Sequence, residues 1–438
     1  MEISMKKSTL ILLAFLTALP LVSCKSSPSA SPQNTSGSTE NHSTTLPDAS
    51  TASEKQEDLE FFCKSLKKGH KNMYAHISEE EFQREIDMIE TQLTSMTDSD
   101  FYYSLKHLAS LIGDSHTSLD FYKSKYAYLH GLPFAIQRYD DGWHLMMMEE
   151  KNKQYLGYLL LSINGTSMEE VAQKAESIIS CDNQVWKDAQ LSNTINFKEA
   201  LEYIGVVEKN SPVLLSIQNP DDPSDSCTLE IRAMEEAEIS SANIISLQPE
   251  QSPATAASGF YRAFPLDAGS YFIQYNQCEE APDLSMTEFT NIVLKDLENS
   301  QYHKIILDLR YNTGGDSRIL EPLIKELKKL RSQQDFTVYT LIGRKTFSSA
   351  IINAVQSKNE LGSILTGTPT GGSVNSYGEL KSFQLKHLPV TVYYSTKYFE
   401  LIPGYDGDSL SPDVVVPEDF HAYLSGTDEA VETVLGLP

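Results

Sequence analysis

Cysteine is scarce in this sequence, and the cysteines follow no metal-binding pattern. Five occur in 438 residues, and no two are separated by the Cys-x-x-Cys spacing. A zinc site or a dense disulfide framework requires closely spaced cysteines, so neither is predicted. Beyond Cys24 we expect buried free thiols, although an exported protein could pair two of the remaining cysteines: Cys63, Cys181, Cys227 and Cys278.

Positive charge is also in deficit. The chain has 35 Lys and Arg against 60 Asp and Glu, which gives a formal net charge of −25. This charge repels polyphosphates and anionic membrane surfaces because they carry the same sign. We therefore expect no nucleic-acid partner.

Long apolar runs are missing except near the start of the chain. Lys6 and Lys7 precede an apolar run from Leu10 to Leu19, which is too short to favour a permanent membrane span. The segment from Leu21 to Cys24 that follows resembles the lipobox of bacterial lipoproteins. We predict a signal peptide over 1–23 and a lipid on Cys24, so that the protein is anchored to the cell membrane on its extracytoplasmic side. An ordinary signal peptide or a core-forming apolar segment is the alternative.

Composition and periodicity divide the remaining chain into four parts. Residues 24–56 are dominated by Ser, Thr, Pro, Asn and Ala and predict a disordered tether. Apolar residues at helical spacing predict a helical unit over 57–125, as in Phe82, Ile86, Ile89 and Leu93. Everything after Cys24 is expected to be soluble.

The third part, 126–250, alternates short strand patterns with a helical stretch around Met168 to Ser180. Within it, the run from Gly157 to Gly165 resembles a strand and turn of PDZ domains, which capture extended peptides by strand addition. Any β-hairpin that closes on an Asn-Gly turn is an equal alternative. The sequence therefore predicts a β-rich module that is PDZ-like.

In the fourth part, 255–438, predicted strands and helices alternate. Ile305–Leu309, Phe336–Ile342 and Ile364–Gly367 are expected strands, and a helix is expected from about Ile319 to Leu330. Alternation of this kind predicts a layered α/β domain.

Three segments contain residue types suited to chemistry. The run from Asp308 to Gly315 ends in two glycines after an apolar strand, and backbone N–H groups there can stabilise a developing negative charge. Ser348 and Ser349 lie where a helix is expected to begin, and a serine there is either a helix N-cap or a nucleophile. His116 follows Asp114 and Ser115 and could be a general base or a buried structural histidine.

The patterns Asp-Leu-Arg-x-Asn-x-Gly-Gly, Thr-Phe-Ser and Gly-Thr-Pro-Thr-Gly-Gly resemble the carboxyl-terminal processing and tricorn-type serine peptidases. The resemblance spans about 111–416 and implies a crotonase-like catalytic core. It implies that Ser348 is the nucleophile and that the N–H of Ser349 joins Gly314 or Gly315 in an oxyanion hole. An alignment shifted by one residue would instead make Ser349 the nucleophile.

The resemblance also distinguishes two branches of the family. Processing proteases use a lysine base twenty-five positions after the serine, where this chain has Ser373. The tricorn branch uses a histidine preceded by serine, which matches Ser115 and His116. Its remaining acid aligns with Asp406 in place of glutamate, with Glu400 as a second choice. We expect Ser115 and Asp406 to orient His116.

We therefore expect a serine peptidase that hydrolyses extended polypeptides and needs no metal or organic cofactor. A calcium loop at Asp406 would require glycine and glutamate where Ser411 and Pro417 stand, and Gly367 to Gly372 lacks the Gly-Lys-Ser/Thr of a phosphate loop. A catalytically silent binding lipoprotein on the same fold, or a surface scaffold that only captures peptides, remains an alternative. No motif specifies an oligomeric state.

Overall fold

The computed structural model describes residues 49–250, 259–298 and 301–437. The predicted signal peptide, the predicted lipidation site Cys24 and most of the predicted tether lie outside these ranges. Within them, no helix combines the length and the apolar character needed to cross a membrane.

Helices and strands alternate along the described chain. The helices are α1 (Ala52–Gly69), α2 (Glu79–Glu90), α3 (Asp98–Ser110), α4 (Met168–Ala175), α5 (Gln184–Ile195), α6 (Lys198–Tyr203), α7 (Glu236–Ser241), α8 (Met286–Glu298), α9 (Glu321–Arg331), α10 (Ser349–Leu361), α11 (Phe420–Leu424) and α12 (Glu429–Gly436). The strands are β1 (Ser118–Phe121), β2 (Phe134–Tyr139), β3 (Gly142–Glu149), β4 (Leu159–Ile163), β5 (Thr166–Ser167), β6 (Val213–Gln218), β7 (Ser226–Ile231), β8 (Ile244–Ser246), β9 (Tyr261–Pro265), β10 (Ser270–Tyr275), β11 (Lys304–Asp308), β12 (Thr337–Ile342), β13 (Ile364–Gly367), β14 (Asn375–Gln384), β15 (Val390–Glu400) and β16 (Val414–Val415).

Helices α1 to α3 confirm the predicted helical character of this part of the chain. Each begins at a capping box, in which the cap hydroxyl and an acidic side chain three residues later bond to each other's backbone N–H. The box of Thr51 and Glu54 starts α1 at Ala52, inside the stretch predicted as tether. Composition alone does not predict that α1 begins here, because the capping box consists of only two residues.

A seven-stranded antiparallel sheet follows. Its strands lie in the order β2-β3-β4-β6-β7, with β5 paired to β4 and β8 paired to β3. Strands β4 and β5 form the hairpin predicted from the Asn-Gly turn, where Asn164 has φ 48° and Gly165 has φ 80°. Positive φ at both central residues matches the twist of the flanking strands.

A six-stranded sheet has the order β16-β13-β12-β11-β10-β9, parallel except for β9. Strands β10 and β11 are buried at every position, in keeping with the apolar residues in the middle of each strand. Helices α8, α9 and α10 share a core with one face, and α12 packs against the other. This confirms the layered α/β architecture.

The third sheet, β1-β15-β14, is antiparallel and connects the helices to the rest of the chain. One hydrophobic core joins α1, α2 and α3 to the seven-stranded sheet and to β15. This core crosses the domain boundary predicted near residue 125. The division of the chain into those two domains stays a prediction. His116 lies between core residues Ile112 and Leu119 of this cluster, whereas Ser348 adjoins Ala350 of the cluster beneath the six-stranded sheet.

Candidate active site

The structure brings together two residues that are 232 positions apart in sequence, Ser348 and His116. The Oγ atom of Ser348 lies 2.9 Å from Nε2 of His116, which is a hydrogen-bonding distance. Ser348 follows β12 at the carboxyl edge of the six-stranded sheet, and His116 is in the loop between α3 and β1. The predicted nucleophile and the predicted base are therefore in direct contact.

Ser348 has an unusual backbone conformation. Its φ of 53° and ψ of −123° place it in a region that residues with a side chain rarely adopt. It stands at the N-cap position of α10, but its side chain makes no capping hydrogen bond. The side chain of Ser348 therefore does not act as an ordinary helix cap. The strained turn instead points its Oγ towards His116.

The turn before Ser348 is fixed by buried polar contacts. Thr346 Oγ1 donates to the carbonyl of Leu309 at 2.9 Å and accepts from the N–H of Gly343 at 3.0 Å. The N–H of Phe347 donates to the carbonyl of Asn312 at 3.1 Å. The segments after β11 and β12 are thereby locked together, which places the glycine pair against the serine.

The three expected oxyanion-hole donors are not equivalent. The N–H of Gly314 donates to Oδ1 of Asn312 at 2.9 Å and is therefore occupied. In the described ranges, the N–H groups of Gly315 and Ser349 have no acceptor. Ser349 Oγ donates to the carbonyl of Gly315 at 2.6 Å, which holds these two donors side by side.

Gly314 also has a steric role. It has φ 109°, and a Cβ atom there would lie 2.8 Å from Cβ of Ser348. Only glycine permits this close approach of the two backbones. The contact of Ser349 Oγ with Gly315 also distinguishes the two serines, because it directs Ser349 away from His116 while Ser348 contacts the ring.

The His116 ring is held mainly by stacking. It stacks on Phe347 with ring centroids 4.7 Å apart, and Phe347 stacks in turn on Trp186 at 4.0 Å. Nδ1 of His116 is buried and has no hydrogen-bond partner among the described residues. The nearest acid is Asp114, whose Oδ1 lies 3.8 Å from Nδ1.

Asp114 is a fully buried carboxylate with several donors. His70 Nε2 lies 3.0 Å from Oδ2, Thr117 Oγ1 donates to Oδ2 at 2.6 Å, and the N–H of His116 donates to Oδ1 at 3.0 Å. Burial alone would raise the pKa of Asp114, but the hydrogen bond from His70, the charge of His116 and the bond from Thr117 lower it to about 2. Asp114 is therefore a fixed negative charge beside the ring.

Ser115 contacts a different acid. Its Oγ donates to Oδ1 of Asp182 at 2.7 Å and accepts from the N–H of Asp182 at 2.9 Å. Burial raises the pKa of Asp182, and the charge of Asp114 adds to this, while the bond from Ser115 and the charge of His116 oppose it. The structure does not place the Ser115 hydroxyl on the His116 ring.

The remaining predicted positions lie outside the direct contacts of His116. Asp406 is exposed and makes no hydrogen bond or ion pair to any described residue, and Glu400 is exposed at the end of β15. Ser373, at the position of the lysine in processing proteases, donates from Oγ to the carbonyl of Asp408 at 2.7 Å. The expectation that Asp406 orients the histidine finds no contact to support it.

Asp114, Asp182 and His70 are site residues for which the sequence predicted no role. For Asp114 a signal was present, because an aspartate two residues before a histidine can accept its backbone N–H in an Asx turn. Asp182 and His70 are 67 and 44 residues from their partners, and nothing local predicts these contacts.

The cysteines are free in the described chain, as expected. Cys278 is buried, and its Sγ contacts Oδ1 of Asn312 at 3.3 Å, beneath the glycine turn. Burial raises the pKa of this thiol to about 12. Cys63, Cys181 and Cys227 are only partly buried, which differs from the expectation of fully buried thiols.

The fold and the site define a class of protein, an α/β protein with a serine–histidine contact at the edge of a sheet. We compared the chain with known proteins on this basis. No protein-family model matches the sequence, and no curated protein matches it significantly. Among solved structures, mature CPAF complexed with lactacystin is similar with a TM-score of 0.60 and 13% identity, over 88% of this chain and 97% of that chain. At this identity the likeness shows a shared fold.

Two further structural neighbours come from the family whose motifs the sequence resembles. The photosystem II D1 C-terminal processing protease has a TM-score of 0.38 and 15% identity over 86% of this chain and 98% of its own. The tricorn protease has a TM-score of 0.40 and 14% identity over 87% of this chain and 36% of its own.

Proposed function

We propose that this chain is a serine peptidase in which Ser348 is the nucleophile and His116 the general base. The observation that carries the proposal is the 2.9 Å contact between Ser348 Oγ and His116 Nε2, made by a serine in a strained turn. A serine hydroxyl is a weak nucleophile unless a neighbouring base takes its proton. The family motifs in the sequence support the same reaction.

The reaction follows from the arrangement of these atoms. Nε2 of His116 takes the proton as Ser348 Oγ attacks the peptide carbonyl, and the imidazolium that forms is stabilised by the charge of Asp114. The N–H groups of Gly315 and Ser349 donate to the developing oxyanion, and such donors typically contribute a factor of about 100 or more each. His116 then gives its proton to the departing amine, and water hydrolyses the acyl-enzyme.

In this proposal Asp114 takes the part that the family resemblance assigned to Asp406. Asp114 is buried and ionised 3.8 Å from Nδ1, whereas Asp406 is exposed and makes no contact with the ring. Contacts of this kind are often long before substrate binds and shorten as positive charge develops. The proposed support of the imidazolium is therefore mainly electrostatic.

The finer expectations extend the proposal. We assign the six-stranded sheet with its helices to a crotonase-like core and the seven-stranded sheet to a PDZ-like module that presents extended polypeptides. The reaction would be of the tail-specific endopeptidase type. A lipid on Cys24 would hold the enzyme at the extracytoplasmic side of the cell membrane, with the predicted tether as spacer.

A fluorophosphonate probe tests the nucleophile, because it reacts covalently with an activated serine. We expect labelling of the wild-type protein, no labelling of Ser348→Ala, and labelling of the matched control Ser349→Ala. Loss of labelling in Ser349→Ala with retention in Ser348→Ala would transfer the role to the next residue. Absence of labelling in folded wild-type protein would favour a binding lipoprotein.

The pH dependence tests the base. Only neutral imidazole can accept the serine proton, so the labelling rate should rise with pH through the titration of His116. Rates measured from about pH 5 to 9 should level off on the alkaline side. A rate that is constant across this range would exclude His116 as the base.

A further inference from the structure

We propose that His70 is a positioning residue for this reaction, acting on His116 through Asp114. The inference rests on the proposed function and extends it to a residue that contacts neither the nucleophile nor the base. His70 forms the C-cap of α1, where its N–H donates to the carbonyl of Leu66 at 2.9 Å. Its side chain is fully buried, and Nε2 lies 3.0 Å from Oδ2 of Asp114.

The neighbours of His70 determine which ring nitrogen has the proton. The backbone N–H of Asn72 donates to Nδ1 of His70 at 3.0 Å, so Nδ1 is the acceptor. The proton is then on Nε2, which donates to Asp114. His70 is thereby a neutral imidazole with a single orientation, and a buried hydrogen bond of this kind fixes both tautomer and carboxylate.

Because of this bond, the two carboxylate oxygens of Asp114 have different partners. Oδ2 is occupied by His70 and by Thr117 Oγ1, whereas Oδ1 receives the backbone N–H of His116 and faces its ring at 3.8 Å. Without His70, Oδ2 would lose one of these two donors and the carboxylate would be less firmly oriented. A continuous path thus runs from the end of α1 through Asp114 and His116 to Ser348.

The same bond affects how strongly the Asp114 carboxylate attracts the imidazolium form of His116. A donor on Oδ2 makes the carboxylate less basic and weakens its attraction for an imidazolium. Removing that donor should therefore raise the pH at which His116 becomes neutral. The other titratable or charged groups that face this cluster are Tyr377, whose ring is 5.4 Å from that of His70, Asp182, and His76 beside Gly113.

A purely structural histidine that holds α1 in place is the competing explanation. His144 provides a matched control, because it is also buried and bonds through both nitrogens, to the carbonyl of Gly157 at 2.8 Å and to Asp141 at 2.9 Å. It stacks on Phe420 and makes no contact with the serine–histidine pair. Losing His144 should lower stability without altering the base.

The experiment compares His70→Leu, His70→Gln and His144→Leu by fluorophosphonate labelling as a function of probe concentration and pH, alongside thermal denaturation. In His70→Leu we expect the maximal labelling rate to fall about 10-fold with a similar half-saturating probe concentration. Its acid limb should move about 0.5 pH unit or more to higher pH. The glutamine amide can donate to Asp114, so His70→Gln should recover most of both effects, and His144→Leu should change neither.

Equal maximal rates and an unmoved acid limb in His70→Leu would overturn the proposal, as would equal defects in the leucine and glutamine variants. If His70→Leu does not fold, the test rests on His70→Gln. A large rate loss together with a displaced acid limb in His70→Gln would then count against the proposal. Failure of the proposed function appears differently, because then the wild-type protein itself is not labelled.

Discussion

Two aspartates lie close to His116, and their surroundings shift their pKa values in opposite directions. Asp114 belongs to the helical side of the site and receives hydrogen bonds from His70, Thr117 and the backbone of His116. Asp182 belongs to the loop before α5, where its carboxylate receives the bond from Ser115. The pKa of Asp114 is lowered to about 2, whereas that of Asp182 is raised. Because both residues are aspartates, their surroundings and not the residue type account for the opposite pKa shifts.

The two shifts have opposite consequences for stability. Because the pKa of Asp114 is below its unfolded value of about 4, its bonds stabilise the native state above that pH, and this contribution is lost as the pH falls towards 2. The raised pKa of Asp182 means that folding disfavours its charge. This cost is present at pH values above the raised pKa and disappears on acidification.

The largest effect is expected when Asp114 loses its charge. Asp114→Asn removes the negative charge beside the imidazolium and leaves an amide where His70 and Thr117 donate. We expect the fluorophosphonate labelling rate at pH 7 to fall on the order of 100-fold or more. Urea denaturation should show a loss of about 2 kcal/mol or more in the free energy of unfolding. Labelling within a few-fold of wild type would remove Asp114 from the proposed mechanism.

The same substitution at Asp182 should act in the opposite direction on stability. Asp182→Asn keeps an oxygen for Ser115 and removes a charge that the fold disfavours. We expect a melting temperature about 2–4 °C higher than wild type at pH 8, with a smaller difference at pH 5. A lower melting temperature at pH 8 would mean that the carboxylate is stabilised by its surroundings, contrary to the direction of its pKa.

Ser115→Ala tests whether the serine before the histidine orients the ring. Ser115 Oγ bonds to Asp182 and not to Nδ1 of His116, so we expect the labelling rate to stay within about threefold of wild type. Measuring Ser115→Ala beside Asp182→Asn separates loss of the bond from loss of the charge. A fall comparable to that of Asp114→Asn would restore the role implied by the family resemblance.

The smallest effect is expected for Asp406→Ala. Asp406 is exposed and has no described contact, so removal of its side chain should leave labelling and melting temperature nearly unchanged. A loss of labelling greater than tenfold would show that this loop approaches His116 during the reaction.

The sequence predicted the sheet that supports the nucleophile better than the surroundings of the base. Ile364–Gly367 was predicted as a strand and is one, and the strand predicted at Ile305–Leu309 is displaced by one residue. Fully buried parallel strands have continuous apolar runs that are visible without a structure. The contacts of Asp114 with His70 and of Ser115 with Asp182 join distant segments, and neither hydrophobic periodicity nor a local motif encodes them.

The division of the site between two hydrophobic cores bears on when the proposed peptidase could first act. His116 is held beside the core of the helices and the seven-stranded sheet, and Ser348 beside the core under the six-stranded sheet. A chain in which either core is still unfolded has a serine without its base. The proposed peptidase would thus be silent while it emerges and folds, and the first competent molecule would be a completed one, without need of a separate inhibitory segment.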